Sequence, residues 1–235
     1  MAIVKEQVVS ERGSGGDRTA ASLVVAAGDI LIAVCTSQDS NTNNLPLFSV
    51  KFNTTEAFTL VIAAGGSGGT GQPNRIEIWR LNAPTATTAS VIADFASGIN
   101  ESTLTVYRLS GADTTTPING TPDSDTANGY APAMSITTDA DSCFLIGGLC
   151  TEASITGMGT GQTADATLTD QSYENTRVSS EAGTSAGAQA HSYNMGSGAP
   201  HAQAFVAIKP TSSPAATLFF KSKFARQAIH RASYY

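Results

Sequence analysis

Apolar and polar positions alternate in short runs along residues 1–210, separated by glycine, proline and small polar clusters. A period of two marks a strand with one buried face. Phe48, Val50 and Phe52 interleave with Ser49 and Lys51, and Leu104 and Val106 lie opposite Thr105 and Tyr107. Over Arg75 to Leu81, Ile76 and Ile78 take one face, and Glu77, Trp79 and Leu81 the other. Further strands are predicted over 3–9, 22–26, 58–62, 91–95, 134–137, 142–149, 165–168, 188–193 and 203–208. Ile30 to Val34 is apolar without alternation, which predicts a strand covered on both faces. Gly65 to Gly71 reads as a flexible loop, and the stretch from Ser110 through Pro117 and Pro122 to Gly129 as a long one.

Strands at this spacing, with no βαβ pattern and no helical period before residue 215, predict an all-β fold. The expected form is an antiparallel two-sheet β-sandwich, a single domain over residues 1–210. A jelly roll is the version that limits exposed edges. Periodicity alone does not separate it from an immunoglobulin-like or lectin-like sandwich. No internal repeat of fixed period is visible.

Residues 211–216 read as a linker, and residues 217–235 break the pattern. This last segment carries Leu218, Phe219, Phe220, Phe224, Ile229, Tyr234 and Tyr235 beside Lys221, Lys223, Arg226 and Arg231. Read as a helix, it places Phe220, Phe224 and Ala228 at four-residue steps. Aromatic and arginine anchors are what interfaces use, so these eleven apolar and basic residues are expected to dock the protein on a partner.

Charge sharpens that division. No acid follows Glu181, and taking the tail's four bases from 13 leaves nine against 19 acids, or −10 for the body. An acidic body does not bind nucleic acid with its main fold. Charged residues make up only 14% of the chain, which suits strands with polar turns better than surface helices. The start, Met1 to Glu6, has neither the apolar segment nor the cleavage site of a signal peptide. No apolar run is long enough for a transmembrane segment. Synthesis in a host cytoplasm is expected, and Cys35, Cys143 and Cys150 are expected to be reduced core thiols.

Candidate chemistry is sparse. His191, His201 and His230 lack zinc-ligand spacing, and no GxSxG elbow supports a Ser/His/Asp triad. The glycine loop lacks a phosphate-binding motif and leads into no helix. Asp123 with Asp125, and Asp139 with Asp141, are the pairs that could hold a structural calcium, although loop solvation explains them equally. Otherwise no cofactor is expected, and no enzyme. Tyr130, Tyr173, Tyr193 and Trp79 are the aromatics available to a sugar platform, with Trp79 better placed for the core.

Two segments carry a resemblance. Residues 77–84, with Glu77, Trp79, Leu81 and Pro84, look like an E-x-W-x-L-x-x-P strand. Tyr107, Gly111, Asp113 and Pro117 look like a Y-x-G-x-D…P turn with one additional residue before the glycine. In order with residues 28–33 and 204–210, they resemble the jelly-roll sandwiches of phage virion accessory proteins (decoration or head-fibre type), also seen as domains of bacterial surface proteins. The resemblance implies a virion structural protein, a capsid decoration or accessory component anchored through its C-terminal segment, with capsid or other virion proteins as partners. It implies a homo-oligomer, with a trimer expected by analogy with threefold capsid sites. It brings no catalytic residues. The alternative is a carbohydrate-binding, lectin-like module for host or surface attachment, with a glycan as ligand.

Overall fold

A computed structural model describes residues 2–38, 49–66, 74–95, 99–169 and 174–212. They form strands, with no helix among the described residues. In the first half these are β1 (Val4–Gly13), β2 (Arg18–Val24), β3 (Ile30–Gln38), β4 (Ser49–Phe52), β5 (Glu56–Ala57), β6 (Thr59–Gly66), β7 (Asn74–Asn82), β8 (Thr88–Asp94) and β9 (Glu101–Ser110). In the second they are β10 (Ile118–Gly129), β11 (Ala133–Thr138), β12 (Cys143–Thr151), β13 (Ile155–Met158), β14 (Thr163–Thr169), β15 (Asn175–Thr184), β16 (Gly187–Met195) and β17 (Ala199–Ile208).

The all-β antiparallel expectation is met, with more layers than the two sheets foreseen. Four sheets form, ordered β2-β8-β4-β5, β1-β9-β3-β7-β6, β10-β17-β12-β15-β14 and β11-β16-β13. Every pairing is antiparallel. The two five-stranded sheets pack face to face through Ile30, Ile32, Ile78, Phe144, Ile146 and Val206. Their other faces are covered by the small sheets. Leu31, Ala33 and Val106 meet Val50, Phe52 and Val91 on one side, and Leu145 and Phe205 meet Met134 and Ile136 on the other. Burial on both faces removes alternation from β3, as its sequence implied, and every position of β3 and β12 is buried.

The halves share one pairing scheme. Setting aside the two-residue β5, number the eight strands of each half in order. First pairs with eighth, second with seventh, third with sixth, third with eighth, fourth with seventh and fifth with sixth, in both halves. The sequence shows no repeat because the same positions carry different residues.

Four strands, the two-residue β5 among them, lie outside the runs that the pattern predicts. β10 falls in the segment that reads as a long loop through Pro117, Pro122 and Gly129. It is an edge strand whose register breaks between Asn119 and Asp123, the setting that tolerates proline. β13 is short, and β15 is built from small polar residues with Val178 its one large apolar core residue. His201 lies on β17 and is buried.

The stack has two poles. Ile30, Leu109, Phe144 and Ile208 stand at the terminal pole, and Gln38, Glu101, Thr151 and Asn175 at the opposite one. The Ala112–Pro210 bridge ties the halves at the terminal pole, and Asn74 Nδ2, donating to Pro200 O at 3.1 Å, does so at the other.

Candidate functional site

The terminal pole holds a pocket of about 610 Å³, lined among others by Ala2, Asp113, Asp139, Asp141, Lys209 and Ser212. Both ends of the described chain therefore meet at one place. Thr211 N donates to Gly111 O at 2.9 Å, so the chain is held to the body up to that residue. The expected docking residues, Leu218 to Tyr235, lie outside the described residues.

The pocket carboxylates are already engaged. Asp113 accepts from the amides of Thr115 at 2.8 Å and Thr116 at 2.9 Å, which hold its carboxyl below the usual range, and Lys209 Nζ lies 3.4 Å away. Asp139 accepts from Asn119 Nδ2, and Asp141 from Ala186 N at 2.7 Å. Of the other acidic pair that could hold calcium, Asp123 accepts from Ser135 N at 2.9 Å across to β11. Among the described residues no group of three or more His, Cys, Asp and Glu side chains is arranged around a metal position. The three cysteines are free and buried, and burial pushes each thiol up, away from the reactive thiolate.

A second cluster lies inside the second sandwich. Ser179 Oγ is 2.9 Å from His191 Nε2 and 3.0 Å from Tyr193 Oη, and those two atoms are 3.1 Å apart. The His191 ring stacks on Phe205 with centroids 4.7 Å apart. Gly147 makes room for it, since a Cβ there would sit 2.4 Å from the ring. Burial pushes the imidazole down to about 3, so it is neutral at physiological pH and a poor base. Its Nδ1 meets no carboxylate, and Ser179 is fully buried. This contact cannot run acyl transfer, which needs an oriented base and access for the substrate. Nearby, Gln203 is fully buried and neither end of its amide has a protein partner.

The seam between the large sheets carries two buried carboxyls that the pattern reading passed over. Asp165 pairs with Lys5 Nζ and accepts from Tyr107 Oη at 2.9 Å. Glu174 accepts through Oε1 from Thr36 and Thr176, while its Oε2 has no partner. The only advance signal was an acid among small residues next to an apolar run.

The residues behind the resemblance have structural work here. Glu77 accepts from Trp79 Nε1 at 2.9 Å and from Arg75 Nε at 2.6 Å. Burial raises its carboxyl, and Arg75 and Trp79 pull it back. Gly111 has φ +75°, and a Cβ there would sit 2.5 Å from Ala2 O. Of the aromatics considered for a sugar platform, Tyr193 is fully buried and Trp79 packs partly buried against the first half's core. Tyr173 lies outside the described residues, and Tyr130 is 67% exposed at the opposite pole.

No protein-family model, no curated protein and no solved structure matches this chain.

Proposed function

We propose that the protein is a virion accessory or decoration component, two jelly-roll sandwiches fused back to back and held to its particle by the C-terminal segment. The jelly-roll reading rests on the pairing scheme. First-with-eighth, second-with-seventh and third-with-sixth contacts are those of one long hairpin. The third-with-eighth and fourth-with-seventh contacts arise when that hairpin rolls up.

One observation carries the anchoring: Ala2 and Ser212 line the same pocket. A basic, aromatic tail leaving there puts its holdfast at one pole and frees the other to face outward. Partners of this kind are capsid or other virion proteins, and a symmetric shell favours several copies acting together.

Deleting residues 217–235 tests the reading. The body is expected to keep the circular dichroism and thermal midpoint of the full chain, and incorporation into particles to be lost. A truncated protein that still enters particles at the normal level would sink the anchoring role. A glycan-binding role at the opposite pole is the second reading, favoured by exposed Tyr130. Retention of the purified full chain on a glycan array, abolished by Tyr130→Ala, distinguishes it.

A further inference from the structure

We propose that Glu174 is a proton-operated latch on the seam, fastening the first sandwich to the second when protonated and loosening the opposite pole when ionised. The inference rests on the fold and is independent of any virion role.

Glu174 is 1% exposed and immediately precedes β15. Its Oε1 is 2.5 Å from Thr36 Oγ1 of the first half and 2.5 Å from Thr176 Oγ1 of the second. The Cys150 thiol lies 3.5 Å away. Thr36 also contacts Thr103 at 2.6 Å, so the carboxyl reaches two strands of the first half through one hydroxyl. Its other oxygen is buried with no hydrogen-bond partner. The seam's other carboxyl, Asp165, has both the Lys5 ammonium and the Tyr107 hydroxyl.

Charged and titratable groups approach from several strands. Arg12 on β1 attracts the carboxylate and is itself bonded to Glu101 of β9 at 3.2 Å. Arg18 on β2 feels Glu101 and Asp17 more strongly than Glu174. Arg75 on β7 is paired with Glu77. On β12 the Cys150 thiol faces the carboxyl, and Glu152 just beyond that strand bonds to Gln38 of β3 at 3.2 Å. Arg177 on β15 and His201 on β17 belong to the strand faces turned toward the small sheet. Burial outweighs the hydrogen bonds and Arg12, and it holds the Glu174 carboxyl above the usual glutamate value of 4.5.

The sign follows from proton linkage. A raised folded value means the folded state keeps a proton that the unfolded chain has released. The contribution is full below the usual value and is lost as pH rises through the raised one. Above it, the seam holds a charge with one bare oxygen.

Glu174→Gln keeps the shape and the accepting oxygen without the charge. Thermal midpoints of the full chain and this variant, measured from pH 4 to 9, should coincide at the acid end. Toward alkaline pH the wild type should fall below the variant by about 3–5 °C for each pKa unit of the shift. Groups such as His191 titrate alike in both proteins and cancel in the difference. Amide exchange at the Gln38 and Asn175 ends of β3 and β15 should be faster in the wild type at pH 8, with the terminal pole unchanged. Carbon-13 carboxyl resonances of the wild type read Glu174 directly, even if the variant does not fold. Parallel midpoint curves, exchange that does not differ at the seam, or a Glu174 titration at or below 4.5 would each overturn the latch.

Discussion

Counting from the residue pairs that open the central ladders, Ile30 with Leu109 and Phe144 with Ile208, Gln203 stands where Leu104 stands in the first half. On the same count Ser179 stands where Trp79 does. One sandwich fills these places with apolar bulk, and the other with a bare amide and a serine bonded to His191 and Tyr193. A buried amide without partners costs about 1–3 kcal/mol. Gln203→Leu has nearly the same volume and should therefore stabilise the protein by roughly that amount, read as a higher denaturant midpoint at unchanged slope. A loss of stability would mean that the amide has partners in solution. Polar residues on strand faces look alike in a sequence whether they point to water or to a core. That is why Gln203, Asp165 and Glu174 were invisible as buried groups, while Trp79, expected in the core, packs partly buried against it.

At the scale of strands, the pattern reading worked where one face was wet or both were greasy. It failed where the buried side chains were small or polar, as in β15, and where an edge strand broke register, as in β10. β12 is read despite two small residues in its middle. Gly147 and Gly148 leave a gap in its apolar run, yet a Cβ on Gly148 would come 2.6 Å from Ile76 of the facing sheet. Edge strands also explain Lys5. β1 and β14 are the edges of the two large sheets on the same side of the stack, and the Lys5–Asp165 pair spans them. Inward-pointing charges at an edge discourage pairing with other chains. Lys5→Met would leave Asp165, 4% exposed, with only the Tyr107 hydroxyl. The expected cost is about 1–2 kcal/mol, below that of a fully buried pair because the lysine reaches solvent. Lys5→Met with Asp165→Asn should cost less than the two single changes summed, a comparison that chemical denaturation of all four proteins makes directly.

The whole molecule depends on the seam. Each large sheet turns one face to its own small sheet and the other to the opposite half, so neither half can hide all its apolar surface alone. Phe144, Ile146, Val206 and Ile208 would face water if residues 113–212 were made without the first half. That fragment is expected to bind hydrophobic dyes and to lack the dispersed amide spectrum of a folded domain, whereas the full chain should unfold in a single transition. A well-dispersed spectrum from the isolated fragment would show that the halves are separate domains. The fold class was legible because short alternating or wholly apolar runs recur along most of the body. The doubling was not, because topology repeats here without repeating residues.

The meeting of Ala2 and Ser212 has a practical corollary. Cargo fused to the N-terminal end would start beside Ser212, on the approach to the proposed anchor. Anything meant for display belongs instead at the opposite pole, on the turn between β10 and β11 that carries exposed Tyr130, a full strand length away.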